Sequence, residues 1–189
     1  MDSGQHAEKP TPIASSLLRV VSSVVFVLVL AAALRMFVFQ PYSIPSGSME
    51  ETIRVGDVLI SEKVSYYFRE PAPGDIVTFH DPMLSDSSRT LIKRVIATEG
   101  QVVDVRDGAV YVDGVRLDEP YTEGRPSEQL SGSAVTFPYT VPAGSLWVMG
   151  DNRTNSQDSR YFGAVSRASV TGRAAFVFWP VGSMRPLAG

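Results

Sequence analysis

The chain has 189 residues, of which 44% are hydrophobic and 20% charged, as expected for one folded domain with an added segment. Its net charge of −3 provides no basic surface for nucleic acid, so we expect no nucleic-acid partner. The absence of cysteine excludes disulfides and thiolate nucleophiles, and two histidines are too few for a histidine-rich metal site. We therefore expect neither a metal ion nor a cofactor.

The N-terminal part of the sequence is a polar tail followed by an apolar run. Residues 1–16 predict a flexible tail. The run from Val20 to Leu34 carries no charge and is bounded by Arg19 and Arg35. Extended to residues 17–39, it is long enough as a helix to cross a hydrocarbon core of about 30 Å. We predict one transmembrane helix over residues 17–39, followed by a domain over residues 40–189.

Two other interpretations of this segment are a cleaved signal peptide and a buried helix of a soluble domain. The small residues Ala31-Ala32-Ala33 resemble a signal-peptide cleavage site, but the preceding tail is long and contains Asp2 and Glu8. The sequence also continues apolar beyond that point, which disfavours cleavage. The basic residues on the two sides of the run nearly balance, so they barely indicate an orientation.

After residue 38 the pattern predicts β-strands. Short apolar stretches follow Gly-Asp pairs in residues 55–60 and 74–79, and further strands are predicted over residues 146–149 and 174–179. Residues 102–117 predict a meander with two-residue turns at Asp107-Gly108 and Asp113-Gly114. Only residues 159–162 suggest a helical turn. The expected fold class is all-β, an antiparallel sandwich or barrel-like domain preceded by the helix.

Two segments carry candidate chemistry without a histidine. Ser46-Gly47-Ser48 offers hydroxyl groups on a loop where glycine permits close backbone approach. Lys93 lies in an apolar β-type run, residues 91–96, where desolvation would lower its pKa and allow it to act as a base. The alternatives are two ordinary loop hydroxyls and a lysine that protects a sheet edge.

A third segment, residues 150–163, is dense in donors and acceptors and follows an apolar strand. Arg160 could pair bidentately with Asp151 or Asp158. A solvated turn is the simpler interpretation, but such a cluster directly after a strand favours a partly buried network.

Taken together and in this order, the three segments resemble those of bacterial type I signal peptidases, the membrane-anchored serine–lysine proteases that release exported proteins. The resemblance covers residues 17 to about 181. It rests on Ser46-Gly47-Ser48-Met49, on residues 56–60, 93–96 and 150–163, and on Phe178-Trp179-Pro180 near the end. The chain lacks the family's usual Pro-Thr-Leu after the first box and its Gly-x-Pro-Gly-Asp after the lysine box. These departures affect turns rather than reacting groups.

The resemblance implies a role for each matching residue. Ser48 would be the nucleophile and Lys93 its general base, and Ser46 would form the oxyanion hole with the backbone N–H of Ser48. Ser156 would hydrogen-bond and orient the lysine. The remaining residues implied are a structural network and a substrate pocket: Asp151, Asp158 and Arg160 for the network, and Ile44, Met49, Ile53, Leu91 and Ile92 for the pocket.

The expected function is removal of N-terminal signal peptides from exported preproteins after small residues, in the pattern Ala-x-Ala. The resemblance also implies a monomer in the cell membrane, with residues 1–16 in the cytoplasm and the peptidase domain outside it. One alternative is a non-catalytic, membrane-anchored β-domain that binds partners. Another is a Ser-His-Asp hydrolase that uses His80, the sole histidine outside the N-terminal tail.

Overall fold

A computed structural model describes residues 12–50, 52–86 and 88–187. The chain divides between Val38 and Phe39 into two compact units. The first contains helix α1, Pro12–Phe37. Residues 12–16, predicted as tail, are therefore helical, and proline is tolerated there because the first turn of a helix leaves its N–H groups unpaired. The rest of the predicted tail lies outside the described residues.

Residues 12–50, 52–86 and 88–187 contain no helix that combines the length and the apolar character needed to cross a membrane.

The second unit is built on antiparallel strands, which confirms the all-β class. The strands in the described part of the chain are β1 Phe39–Ser43, β2 Val58–Glu62, β3 Ile76–His80, β4 Thr90–Thr98, β5 Val102–Arg106, β6 Ala109–Val112, β7 Val115–Arg116, β8 Tyr139–Thr140, β9 Ser145–Met149, β10 Val165–Ser166, β11 Val170–Trp179 and β12 Arg185–Pro186. The larger sheet has the order β1-β2-β11-β3-β4-β9-β10, with β12 paired to β11, and the smaller sheet has the order β7-β6-β5-β8.

The predicted turns of the meander are confirmed. Asp107 and Gly108 join β5 to β6 with φ values of 52° and 71°, and Asp113 and Gly114 join β6 to β7 with φ values of 51° and 80°. Positive φ at both central residues is the geometry of a type I′ turn, which matches the twist of the flanking strands.

In the described part of the second unit, two short α-helices lie between strands, as do 3₁₀ turns at Pro120–Thr122, Arg167–Ser169 and Val181–Ser183. Helix α3, Ser159–Phe162, lies where the sequence suggested a helical turn, and the Asp158 carboxylate accepts a hydrogen bond from the Arg160 N–H at its start. Helix α2, Ser65–Phe68, was not predicted. Four residues are too few to show a helical period, and α2 is instead started by Glu62, whose carboxylate accepts from the Ser65 N–H at 2.9 Å.

The two sheets share a core, as in the predicted sandwich. Trp147 and Met149 of β9 pack with Val103 of β5 and Val110 of β6. Further clusters bury other side chains of the larger sheet, so its central strands β3 and β4 are covered on both faces. A polar side chain in the middle of β4 is therefore removed from water whichever way it points.

Candidate active site

Ser48 lies on the loop between β1 and β2. Hydrogen bonds from Ile44 N to Asp57 O at 3.0 Å and from Gly56 N to Ile44 O at 2.9 Å close the base of this loop. Its tip is held by Asn152, which donates from its backbone N to Ser48 O at 3.1 Å and from Nδ2 to Gly47 O at 2.9 Å. A residue more than one hundred positions away therefore fixes the hydroxyl-bearing loop.

Lys93 is brought to the same place by β4, which is paired with β3 on one side and β9 on the other. The residue is 3% exposed. Its Nζ donates to Ser48 Oγ at 2.7 Å and to the Ile92 carbonyl at 3.0 Å. Both partners are uncharged, and among the described residues Nζ forms no ion pair with a carboxylate. Because β4 has a paired strand on each side, the alternative in which Lys93 protects a sheet edge is wrong.

The surroundings of Lys93 favour its neutral form. Burial lowers the pKa of Lys93 from 10.5 to about 8, because desolvation disfavours the ammonium, while the negative charges of Asp158, Asp151 and Asp81 oppose this effect. About one molecule in ten then carries a neutral amine at pH 7. A neutral amine within hydrogen-bond distance of a hydroxyl can accept its proton.

Gly150 and Ser156 pack directly against the Ser48 loop. A Cβ on Gly150 would lie 2.4 Å from Ser48 O and 2.3 Å from Ser156 Oγ, so only glycine fits there. The prediction that Ser156 forms a hydrogen bond with Lys93 is wrong, since the structure has no such bond. Within the described part of the chain, the buried Ser156 Oγ has no hydrogen-bond partner, because the Lys93 ammonium is directed to Ser48 and Ile92.

Buried ion pairs surround the Ser48–Lys93 contact. Asp158 and Arg160 form the expected bidentate pair, with Nε–Oδ1 and Nη2–Oδ2 distances of 2.9 Å each. Asp151 instead pairs with Arg94, through Nε–Oδ1 at 2.9 Å and Nη2–Oδ2 at 2.8 Å. Arg94 was not among the predicted network residues, although its position beside Lys93 in an apolar run already implied a buried cation that needs a partner.

A second missed pair joins Arg153 to Glu119. The Arg153 side chain is completely buried and donates from Nη1 and Nη2 to the two Glu119 oxygens at 2.8 and 2.7 Å. Tyr121 lies between this guanidinium and that of Arg94, whose Cζ is 4.1 Å from the ring centre. No spacing signal in the sequence links Glu119 to Arg153, because they are 34 residues apart.

Two cavities meet at the Ser48–Lys93 contact, and both are lined by Ser46, Ser48, Arg89, Leu91 and Lys93. The apolar cavity, about 210 Å³, adds Tyr42, Ser43, Ile44, Pro45, Met49, Thr90 and Ile92. The second cavity, about 270 Å³, is the more polar of the two and is called the polar cavity below; it adds Gly47, Asp81, Met83, Asn155, Gln157 and Phe162.

The structure places four of the five predicted pocket residues, Ile44, Met49, Leu91 and Ile92, on the apolar cavity. The fifth, Ile53, is 0% exposed and packs in the core with Leu59 and Val177. Its assignment to the pocket is wrong, because the turn of chain that places Ile53 N on Met49 O at 2.8 Å directs its side chain inward.

His80 lies at the end of β3, opposite Thr90 of β4. It is not among the residues that line either cavity. The basic group that contacts the Ser48 hydroxyl is the Lys93 amine. The structure therefore gives no support to the alternative in which His80 is the base.

Comparison with known proteins finds similarity to signal peptidases over most of the chain. A family model described as signal peptidase, peptidase S26, matches residues 17–179. The chain is 46% identical to a probable signal peptidase I-1 of Synechocystis, over 81% of this chain and 78% of the relative. It is 40% identical to a signal peptidase I of Leptolyngbya laminosa, over 92% and 85% of the two chains. A crystal structure of a signal peptidase I from Enterococcus faecalis is 35% identical, with a TM-score of 0.46, and the match covers 56% of this chain and 97% of that one.

Proposed function

The chain belongs to the signal peptidase family, peptidase S26, and from this premise we propose that it removes N-terminal signal peptides from exported preproteins with Ser48 as nucleophile and Lys93 as general base. The family makes the protein a serine peptidase. The observation that carries the residue assignment is the 2.7 Å hydrogen bond between Lys93 Nζ and Ser48 Oγ in a buried site.

The first chemical step follows from the state of the lysine. Neutral Lys93 takes the proton of Ser48 as the hydroxyl oxygen attacks the scissile carbonyl carbon, forming a tetrahedral intermediate. The Ser48 backbone N–H and the Ser46 hydroxyl would donate to its oxyanion, and Ser46 lies beside Ser48 on both cavities. One such donor is worth about 2.7–4 kcal/mol of transition-state stabilisation in a comparable protease.

The second half of the reaction returns the enzyme to its starting state. Protonated Lys93 gives its proton to the leaving amine as the carbon–nitrogen bond breaks, which leaves Ser48 as an acyl ester. Lys93, neutral again, then takes a proton from the water that attacks the ester carbon, and it gives this proton to the Ser48 oxygen as the carbon–oxygen bond breaks and the acid product leaves. The nearby carboxylates of Asp158 and Asp151 would stabilise the transient ammonium, as their effect on the pKa of Lys93 indicates.

Substrate selectivity would come from the apolar cavity. Its volume is about 210 Å³, and its walls include the buried Ile44 and Met49. A large side chain next to the scissile bond would overlap these walls, whereas Ala, Gly or Ser would fit. This supports cleavage after Ala-x-Ala.

Membrane attachment through the apolar part of α1, residues 17–37, is part of the proposal. The helix predicted over residues 17–39 ends two residues earlier, because Phe39 begins β1. The large apolar side chains from Leu17 to Leu30 are 47–69% exposed. A helix segment that is apolar around its circumference needs an apolar environment. We propose that a lipid bilayer supplies it, with the peptidase domain outside the cytoplasm, where preproteins emerge. Recovery of the chain with membranes, and its release when residues 1–38 are deleted, would test this anchor.

The direct test of the function is incubation of the purified protein with a preprotein that contains an Ala-x-Ala site. We expect one cleavage, after the second alanine, identified by N-terminal sequencing of the product. The Ser48→Ala variant should give none, and His80→Ala should cleave at the wild-type rate. Cleavage by Ser48→Ala would contradict the assigned nucleophile, and no cleavage of any such precursor by wild type would favour the binding domain considered above.

A further inference from the structure

The polar cavity is the part of the site that the proposed reaction has not yet used. A peptide that crosses Ser48 must occupy space on both sides of the scissile bond. The proposed function assigns the apolar cavity to the residues before that bond. Because the two cavities meet at Ser48 and Lys93, the polar cavity is the space available to the residues that follow the bond.

Arg89 brings a positive charge to this cavity. Its guanidinium is held by the Asp81 carboxylate through Nε and Nη2. Asp81 lines the polar cavity but not the apolar one, so the charged end of Arg89 lies on the polar side. The Asp81 side chain is 0% exposed, whereas that of Arg89 is 59% exposed. The pair therefore buries its negative end and presents its positive end to an incoming peptide.

The backbone fixes this pair in position. Asp81 and Arg89 stand at the two ends of the connection between β3 and β4, and Asp81 N donates to Arg89 O at 3.0 Å. Asp81 Oδ1 also accepts from the Met83 N–H at 2.8 Å. A guanidinium oriented in this way loses less conformational freedom on binding than a free surface arginine does.

The other polar groups around the cavity do not cancel this charge. Asn155 and Gln157 contribute neutral amides, and both residues are exposed. The Lys93 amine lies on the floor of the cavity. Asp81 offsets part of the Arg89 charge through their ion pair. A second opposing charge is that of Glu50, whose Oε2 lies 2.8 Å from the position a Cβ would take on Gly47, although Glu50 does not line the cavity.

We propose that Arg89 is a specificity-determining residue, which favours substrates with an acidic side chain in the first two positions after the scissile bond. The proposal rests on the proposed function, since it needs a peptide that is cut at Ser48. It adds a recognition element on the leaving-group side of the site, where an exposed guanidinium can donate to a carboxylate.

The experiment measures kcat/KM for a set of peptides that share one Ala-x-Ala stretch and carry Asp, Asn or Lys at each of the next two positions in turn. The full chain in detergent should cleave the better Asp peptide about twofold to fivefold faster than its Asn counterpart, as expected for one exposed charge pair, and the Lys peptide more slowly. Added salt should reduce the difference.

Variants of Arg89 give the decisive comparison. Arg89→Gln should still cleave the Asn peptide but lose the preference for Asp, Arg89→Lys should keep part of it, and Arg89→Glu should reverse it. Glu50→Gln should increase it. Arg116→Gln, which removes an exposed arginine from β7, is the matched control and should retain the wild-type ratio. Because each ratio compares two peptides on one enzyme, changes in stability or in Lys93 ionisation cancel.

A wild-type ratio of one, or an unchanged ratio in Arg89→Gln, would overturn the role of Arg89 while leaving the proposed function intact. If wild type cleaves none of the peptides, the proposed function itself fails.

Discussion

Lys93 and Arg94 are consecutive residues of β4 and are equally removed from water, at 3% and 4% exposure, yet their environments differ. Arg94 donates to both carboxylate oxygens of Asp151 and to the Gly74 carbonyl at 2.8 Å, and it stacks on Tyr121. Lys93 donates to a serine hydroxyl and a backbone carbonyl. Alternation along the strand sends the two side chains to opposite faces of the sheet.

The difference teaches that pairing, rather than burial alone, decides what a buried cation does. The Arg94 charge is balanced by a carboxylate in a bidentate geometry, and this ion pair connects β4 to the loop after β9. The Lys93 charge is not balanced by a direct partner, so its pKa falls to about 8 and its amine can accept a proton. The four predictions below test this contrast, from the largest expected effect to the smallest.

The largest contrast should appear in activity. Replacement of Lys93 by Met should lower kcat/KM by about 10⁴-fold or more, since it removes the proposed base. Lys93→Arg should be equally inactive, because a guanidinium does not lose its proton in this pH range. Cleavage of an Ala-x-Ala peptide measures both. Appreciable turnover by Lys93→Arg would contradict the neutral-base mechanism.

The second contrast concerns the stability of the fold. Arg94→Met should lower the free energy of unfolding by about 3–5 kcal/mol, because it leaves the Asp151 carboxylate buried without its partner. Urea unfolding followed by tryptophan fluorescence measures this change. The double variant Arg94→Met, Asp151→Leu should recover much of the loss, and a double variant no better than the single one would argue against an unpaired charge as the cause.

The same substitution at Lys93 should act in the opposite direction. Because the pKa of Lys93 is 10.5 in the unfolded chain and about 8 in the native state, the unfolded chain binds the lysine proton more tightly. Below pH 8 this difference lowers the free energy of unfolding by about 3 kcal/mol. Lys93→Met should therefore raise the free energy of unfolding by up to that amount at neutral pH. Since wild-type stability should rise between pH 8 and 10.5, the gain should disappear at the upper end of this range. Equal gains at pH 7 and pH 10.5 would contradict linkage to this amine.

The smallest expected effect is the pH dependence of the reaction. With the pKa of Lys93 at about 8, kcat/KM should increase about tenfold between pH 7 and pH 9 as the neutral amine accumulates. His80→Ala should leave the profile in place. A rate that stays flat over this range would show that deprotonation of a buried amine does not control the reaction.

The local features of this protein could be predicted from the sequence because they depend on neighbouring residues. The type I′ turns at Asp107-Gly108 and Asp113-Gly114 need positive φ at two adjacent positions, and the residues present adopt it readily. The burial of Lys93 was expected from the apolar β-type run in which it lies, residues 91–96, although the same run left a lysine at a sheet edge open. The expectation that Ser48 and Lys93 act together came from the resemblance to a family, since nothing local joins residues 45 positions apart.

The partners of the buried groups were decided by the tertiary structure. The register of β4 against β9 sets Arg94 opposite Met149, two residues before Asp151, which therefore pairs with Arg94 rather than with Arg160. The same packing leaves Ser156 Oγ without the expected lysine, directs Ile53 into the core, and sets Arg89 at the polar cavity. The sequence determined that the apolar β-type runs would be buried strands, because that depends on polarity and on strand period. Which groups meet depends on strand order and register across the whole sheet, and these are properties of the folded chain.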